Sequence, residues 1–360
     1  MTLPRTYLLQ LLILTLFTGS LLPIQKAQAA EPIDPGEPID YSKLAFYPKR
    51  WAEQKVDTRM HAWRGKKIVL LTQADKKLDA TAMTSFVQEL DRGWTLYQDV
   101  VGVAPRMGRN LDGLAPIAAL PRSELTCGLG CGYIGTTGIE LCKFYTEDYP
   151  AHLRDPKAIS HYCFYEMGRN WYTFGAKHSA FTTGFAVYMR GVCMRQLKLS
   201  DIDIATAKTI TKREQDYAKS DATFFDALTK IDHPKRKPIT DKQGRHLPLS
   251  DLNVIYASIM ERCEKEYGGL PFTTAFYHAL HDCKEFPDGE KNKKAVIGQA
   301  VNWALCLSFA AKKNLAPMLV DRWRFPLNSS VLERFSNADF SGVTSVKDLS
   351  KTIHADVSDK

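Results

Sequence analysis

The order of apolar and polar residues divides the chain into a first part with two short strands and a second part made of helices. A run of apolar residues within 66–72 predicts a buried strand. Apolar residues then recur at spacings of three and four from Asp79, a predicted N-cap, to Gly102, where the helix should end. A second strand is predicted over residues 116–120. The glycine-containing stretch 133–141 is typical of a hairpin or an edge strand.

Helical periodicity dominates the chain beyond residue 156. The predicted helices cover residues 158–174, 183–197, 251–267, 272–281 and 293–313. Residues 232–246 are polar and predict a surface loop, and residues 315–327 form a short terminal segment. This order of elements predicts an α+β fold, in which a small mixed sheet and an N-terminal helix precede a mainly helical C-terminal half.

The N-terminus predicts export. Arg5, an apolar stretch over residues 7–22 and the small residues Ala27 and Ala29 are typical of a cleaved signal peptide. An uncleaved anchor is the alternative, but the apolar stretch is short for a bilayer. We therefore expect a secreted or periplasmic protein, cleaved near Ala29, with no membrane association afterwards. The expected divisions are a signal peptide (1–29), an extended N-terminal segment (30–64), an α/β subdomain (65–145), a helical subdomain (146–330) and a C-terminal tail (331–360).

Composition and charge exclude two classes of protein. The chain of 360 residues is 44% hydrophobic and 24% charged, which is typical of a globular protein and not of a disordered one. Its 48 Lys and Arg residues are interleaved with 40 acids, giving a net charge of +8. Because the basic residues do not form a stripe, we expect no nucleic-acid partner.

Eight cysteines follow the expected cleavage site, and an oxidising compartment favours disulfide bonds between them. They are Cys127, Cys131, Cys142, Cys163, Cys193, Cys263, Cys283 and Cys306. Their pairing is left open by the sequence, although Cys163 and Cys193 lie on successive predicted helices and could be linked. Metal binding by the first three is the alternative.

The segment 161–172, HYCFYEMGRNWY, carries the candidate chemistry. On a helix, residues four apart share a face, so His161, Tyr165 and Arg169 form one stripe with Glu166 and Asn170 beside it. Zinc peptidases use the same spacing in HExxH, where two imidazoles bind the metal and the glutamate activates water. Here the glutamate and the spacing are kept, but neither imidazole is present.

Three motifs resemble those of gluzincin-type metallopeptidases. The string EMGRNWY from Glu166 is similar to the HExGHNWY form of the zinc helix. TTGFAVYM at 182–189 resembles the downstream EGxAxY helix, and LAPMLVDRWRFPL at 315–327 resembles the ending of many such chains. The resemblance covers about residues 65–328. It implies a zincin-like fold, in which the strand before the active helix pairs with an extended substrate.

The departures from these motifs imply that zinc binding is lost. The two histidine ligands fall on Tyr165 and Arg169, the glutamate ligand falls on Thr183, and only the general base, Glu166, is retained. Arginine has no lone pair to give a metal. We therefore expect no metal and no cofactor. We expect Arg169 to replace the cation and to form an ion pair with Glu166.

Two other interpretations of the central segment stay open. It can be an amphipathic core helix with a surface ion pair, or an active site of different design on the same scaffold. His161 is expected to be a hydrogen-bonded core histidine, although His178, His278 and His281 could in principle meet it.

The predicted function is binding or scaffolding of an extended peptide or glycan by an inactive zincin-like protein. The candidate cleft residues are His161, Asn170, Trp171, Tyr172, Tyr133 and Glu140. The alternative is a secreted hydrolase, with Glu166 as general base and either Arg169 as electrostatic stabiliser or zinc at an atypical site. A structural envelope protein held together by disulfides is a third possibility.

Overall fold

The computed structural model describes residues 31–175, 179–204, 210, 212–229, 240–241, 243–245, 252–286, 289 and 291–354. The predicted signal peptide, most of the predicted loop at 232–246 and His178 lie outside these residues. Within them the predicted α+β fold is confirmed, because a mixed sheet in the first half precedes a mainly helical second half.

A six-stranded sheet organises the first half of the described chain. Its strands are β1 (Ile39–Asp40), β2 (Arg59–Arg64), β3 (Ile68–Gln73), β4 (Ala115–Ala119), β5 (Gly130–Gly132) and β6 (Ile139–Leu141), in the order β1-β2-β3-β4-β6-β5. The central strands β3, β4 and β6 are parallel, and the outer pairs are antiparallel. A separate parallel pair is formed by β7 (Ala158–Ile159) and β8 (Ser200–Asp201).

The hairpin predicted near residues 133–141 starts earlier in the chain than expected. β5 and β6 are its two strands, and residues 133–138 form the turn between them. Gly135 and Gly138 occupy this turn with φ of 70° and 123°, a region that favours glycine. The edge strand is therefore β5, and the predicted edge strand at 133–141 was wrong in its position.

The helices of the described chain mostly match the predicted periodicity. They are α1 (Pro48–Glu53), α2 (Ala80–Val101), α3 (Tyr149–Arg154), α4 (His161–Trp171), α5 (Ser179–Gln196), α6 (Arg213–Lys219), α7 (Phe224–Leu228), α8 (Leu252–Tyr267), α9 (Leu270–His281), α10 (Lys293–Ala310), α11 (Ala316–Trp323), α12 (Ser329–Asn337) and α13 (Lys347–Ile353). None of these helices has the length and apolar character needed to cross a membrane.

Helix α2 forms as its local sequence predicts. The Asp79 side chain accepts a hydrogen bond from the Ala82 N–H at 2.8 Å, and Gly102 ends the helix with φ of 84°. Its apolar face, which includes Phe86 and Leu90, is buried in the main core. This face packs α2 against the sheet and against α4, the helix that carries the candidate site.

Two segments are more ordered than the sequence suggested. The segment at 30–64, predicted to be extended, contains α1 and strand β2, which pairs along its length with β3. The predicted tail at 331–360 contains α12 and α13, and it buries Phe335 and Ile353. The partners are near in the chain, since β2 pairs with the strand that follows it and α12 contacts α13.

The described cysteines form one disulfide bond, between Cys127 and Cys131. The Cys283 and Cys306 sulfurs lie 3.4 Å apart in the core. Cys142, Cys163, Cys193 and Cys263 are unbonded. The link suggested between Cys163 and Cys193 is therefore wrong, since both thiols are buried and pack as small apolar side chains.

We expect non-reducing peptide mapping of the chain, purified under oxidising conditions, to recover two intramolecular links, Cys127–Cys131 and Cys283–Cys306. The sulfurs of the second pair already lie 3.4 Å apart, against a bonding distance of about 2.05 Å. Alkylation of the denatured protein should label the other four cysteines. A peptide that links Cys163 to Cys193 would contradict this assignment.

Candidate functional site

The candidate site is built on two helices that pack closely, α4 and α5. Ser160 begins α4 by accepting a hydrogen bond from the Tyr162 N–H at 3.1 Å. Gly168 permits the close packing, because a Cβ at this position would lie 2.9 Å from the Ala186 Cα. The close approach brings Arg169 of α4 next to Thr183 of α5.

The structure brings together the three positions at which the resemblance implies metal ligands. Arg169 Nη1 donates a hydrogen bond to Thr183 Oγ1 at 2.7 Å. Burial raises the pKa of Tyr165, while the adjacent Arg169 charge lowers it. All three side chains are half-buried, so one guanidinium, one phenol and one hydroxyl share a partly open surface.

Glu166 lies beneath this surface and is 4% exposed. Burial raises the pKa of Glu166 to about 7, while the Arg169 charge and a hydrogen bond from the Gly132 N–H both lower it. Glu166 and Arg169 form no ion pair in the described structure, so the predicted pairing between them was wrong. Arg169 instead turns toward α5, where Thr183 is its hydrogen-bond acceptor.

Strand β5 covers Glu166. The Leu129 carbonyl accepts from the Cys142 N–H, and the Tyr133 N–H donates to the Gly138 carbonyl. In an antiparallel pair, residues that bond to the neighbouring strand alternate with residues that do not. Gly130 and Gly132 are of the second kind, so their backbone N–H and C=O groups point away from β6, toward the outer edge of the sheet. A Cβ at Gly132 would lie 2.4 Å from the Glu166 carbonyl oxygen, so only glycine allows this contact. The helix thus occupies the edge that an extended substrate would need.

His161 forms a buried pair with an acid. Its ring Nδ1 lies 2.8 Å from Asp201 Oδ2, and the side chain of His161 is 4% exposed. His278 and His281 lie elsewhere and contact the carbonyl oxygens of Asp99 and Val101 near the end of α2. His161 is therefore a hydrogen-bonded core histidine, as predicted.

Two predicted cleft residues belong to the core. Trp171 is 0% exposed and Tyr172 is 5% exposed. Trp171 stacks on Tyr97, with ring centroids 5.8 Å apart, and meets Trp94 edge-on at 5.0 Å. Trp171 thus holds α4 against α2, and Tyr172 meets Phe185 of α5 with ring centroids 6.0 Å apart, so their assignment to a cleft was wrong.

The other predicted cleft residues fix the hairpin. Asn170 Nδ2 donates to the Tyr133 and Gly138 carbonyl oxygens at 2.8 and 3.1 Å. Glu140 is fully buried and accepts from the Tyr41 hydroxyl and from the Phe46 N–H. Asn170 and Glu140 are thus structural residues.

Tyr133 keeps part of its ring at the surface. The ring packs on Phe46 with centroids 3.8 Å apart, and the Arg109 guanidinium lies 4.0 Å from its centre. This half-exposed aromatic surface lies at the turn of the hairpin, whose backbone is held to α4 by Asn170.

Arg190 is the site residue that the sequence analysis missed. It lies on α5 two turns after Thr183, is 7% exposed, and has its guanidinium carbon 5.5 Å from the centre of the Tyr165 ring. The sequence contained one indication of Arg190. Residues 179–196 contain no acid that could pair with an arginine inside this apolar helix.

Replacing Glu166 by glutamine should flatten the pH dependence of stability between about pH 4.5 and pH 7. The folded pKa of Glu166 is raised from 4.5 to about 7, so the folded state holds the proton more tightly than the unfolded state. The free energy of unfolding should therefore be highest below pH 4.5 and fall by at most about 3 kcal/mol as the pH rises to 7.

Urea unfolding of both proteins at about pH 5 and about pH 8 measures this difference. Other titrating groups, such as Asp148 and His354, are present in both proteins and cancel in the comparison. Parallel pH profiles for the wild type and the Glu166→Gln variant would contradict the raised pKa of Glu166.

The described residues contain no group of three His, Cys, Asp or Glu side chains placed to hold a metal ion. No family model and no curated protein matches the sequence. Two solved structures are similar, both of a functionally unknown conserved protein from Bacillus anthracis str. Ames, one of them a mutant. Their TM-scores are 0.49 and 0.48 at 10% identity, over 81% and 80% of this chain. The chain covers 56% and 53% of those chains, about half their length.

Proposed function

We propose that this chain is an exported binding protein on a zincin-like scaffold, which holds an extended peptide or glycan without cutting it. The observation that carries the proposal is the contact between Arg169 and Thr183, at two positions where the resemblance implies zinc ligands. A guanidinium in this place supplies a fixed positive charge and hydrogen-bond donors, but no lone pair.

The chemistry of the three side chains favours an anionic or polar ligand over a metal. A divalent cation next to Arg169 would meet electrostatic repulsion instead of a ligand. The Tyr165 phenol is a weak ligand as long as it keeps its proton, and burial raises its pKa. The same groups are well suited to donate hydrogen bonds to an oxygen-rich group of a peptide or sugar.

Half-exposed aromatic rings support an extended ligand. Tyr162 and Tyr165 lie side by side on α4 with ring centroids 5.6 Å apart. Aromatic rings with polar ends are frequent in binding surfaces, since they offer a large contact area and a hydrogen-bonding group.

A hydrolase remains the second candidate, and one observation favours it. The pKa of Glu166, about 7, suits a general base at neutral pH. Two observations oppose a hydrolase. Glu166 is only 4% exposed, and a hydrogen bond from the Gly132 N–H lowers the pKa of its carboxyl group. A water molecule could reach it only after β5 moved away from α4.

The two candidates differ in what the mature protein does to a ligand. We expect a fluorescent peptide library and an oligosaccharide array to give retained, uncleaved ligands. Arg169→Gln should weaken this retention. Its matched control for charge is Arg59→Gln, which removes an exposed arginine paired with Asp57 and should leave retention unchanged. Cleavage of peptide or glycan by the wild type, abolished in Glu166→Gln, would replace the binding function with the hydrolase.

A further inference from the structure

Arg190 carries a buried positive charge with no hydrogen-bond or ion-pair partner among the described residues. Its side chain is 7% exposed, and it forms no hydrogen bond or ion pair with any described residue. Two acids, Asp201 and Asp203, act on it through space without forming an ion pair. Asp201 already accepts from the backbone N–H of His161 and from that of Asp203. An unpaired buried charge is costly, so a partner that arrives from outside would be strongly favoured.

Two guanidinium groups from different helices converge on one ring. Arg190 of α5 lies over the Tyr165 ring at 5.5 Å, and the charge of Arg169 on α4 is close enough to lower the pKa of the Tyr165 phenol. Thr183 holds Arg169 in place through a 2.7 Å hydrogen bond. The half-exposed Tyr165 phenol is therefore flanked by two positive charges, of which neither has a carboxylate partner in the described structure.

We infer that Arg169, Arg190 and the Tyr165 hydroxyl bind a carboxylate group of the ligand. This inference rests on the proposed binding function and names the chemical group that the site recognises. Planar guanidinium groups match the geometry of a carboxylate, and charge-assisted hydrogen bonds are the strongest that the site can offer. The adjacent rings of Tyr162 and Tyr165 would contact the part of the ligand next to that carboxylate.

The charges around the site favour a monoanion over a phosphate dianion. Glu166 lies beneath Arg169, and Asp201 and Asp203 lie near Arg190. These three acids already offset the charge of the two arginines through space, so a ligand gains mainly from direct hydrogen bonds to the guanidinium groups and is favoured when its own charge is small. A dianion would add a second negative charge close to three acidic side chains, so phosphate should bind less tightly.

Calorimetric titration of the mature protein with matched acids and neutral compounds tests this inference. N-acetyl-tyrosine and its carboxamide represent a peptide source of the carboxylate. Glucuronate and glucose represent a glycan source, and inorganic phosphate is the competing anion. We expect one of the two acids to bind at least about tenfold more tightly than its neutral partner, as the loss of a charge-assisted hydrogen bond implies.

Arginine variants test which residues contact the bound carboxylate. Arg190→Gln and Arg169→Gln should each weaken binding of the preferred acid about tenfold or more. The control is Arg195→Gln, which removes the same charge from α5 at a residue paired with Glu264, and it should leave binding unchanged. If Arg190→Gln does not fold, two other measurements take its place. One is binding by Thr183→Val, a variant that removes the hydrogen bond holding Arg169. The other is the change in the Arg Nε–Hε NMR signals when the wild type is titrated with the acid.

The inference is overturned by equal affinity for acids and their neutral partners, by tighter binding of phosphate, or by no binding of either acid. It is also overturned if binding of the acid survives in Arg190→Gln. Its failure is distinct from that of the proposed function. If the protein binds the carboxylate but also cleaves the ligand, only its assignment as a binding protein is wrong. If it neither binds the carboxylate nor cleaves the ligand, only this inference is wrong.

Discussion

Replacing Trp171 by alanine should lower the free energy of unfolding by about 3–5 kcal/mol, the range for deleting a fully buried large aromatic side chain. Trp171 is 0% exposed and contacts the rings of Trp94 and Tyr97 on α2. Its removal leaves a cavity between α2 and α4, under the helix that carries the candidate site. Urea unfolding monitored by circular dichroism measures the loss.

The matched control is Tyr162→Ala on the same helix. Tyr162 is half-exposed, so less apolar surface is lost and the decrease in stability should be clearly smaller. If Trp171→Ala cost no more than Tyr162→Ala, Trp171 would belong to a solvent-accessible cleft and its place in the core would be contradicted.

Replacing Glu214 by alanine should also cost about 1.5–3 kcal/mol, the range for hydrogen bonds to a charged group, because it leaves the buried Trp323 indole and two partly exposed arginines without their acceptor. Glu214 on α6 is 2% exposed. Its carboxylate accepts from Arg262 of α8 at 3.1 Å, from Arg322 of α11 at 3.0 Å, and from the Trp323 indole at 3.1 Å. One side chain therefore joins three helices of the C-terminal half.

Glu266→Ala is the control for this network. Glu266 contacts the same Arg262 at 3.5 Å, but its side chain is 48% exposed. An exposed pair of this kind contributes about 1 kcal/mol or less. Equal losses of stability in the two variants, measured by urea unfolding, would show that the Glu214 network does not join the helices.

Local signals in the sequence predicted the elements that depend on them. Helix α2 is bounded by a capping aspartate and a glycine, and both act within a few residues of the helix ends. Strand β3 is a continuous apolar run, which is typical of a strand buried on both faces. These elements need no distant partner to be recognised.

Elements whose place is set by pairing or packing were missed. Strand β2 reads RMHAWR and is fixed by pairing with β3, the strand that follows it, and β5 is three residues long with two glycines. Its place is set by contact with Glu166 on α4, more than thirty residues later in the chain. Periodicity within a short window does not contain such contacts.

The candidate site was predicted in part. Residues spaced along α4, together with the resemblance, placed Arg169 near Thr183, and the structure has the two in contact. Aromatic residues were misassigned, since Trp171 and Tyr172 point into the core from the same helix whose Tyr165 reaches the surface. Arg190 was missed because its helix offers only one local signal, the lack of an acid. That Arg190 has no ion-pair partner among the described residues becomes visible only in the packed structure.

The central proposal is that the Arg169 guanidinium lies at the position where zinc peptidases with the HExxH motif hold their metal. The most direct test is the zinc content of the mature protein after dialysis against micromolar zinc, measured by inductively coupled plasma mass spectrometry for the wild type and Arg169→Ala. We expect far less than one zinc ion per chain in both proteins. One zinc ion per wild-type chain, lost in Glu166→Gln or in a variant of His161, would contradict the claim.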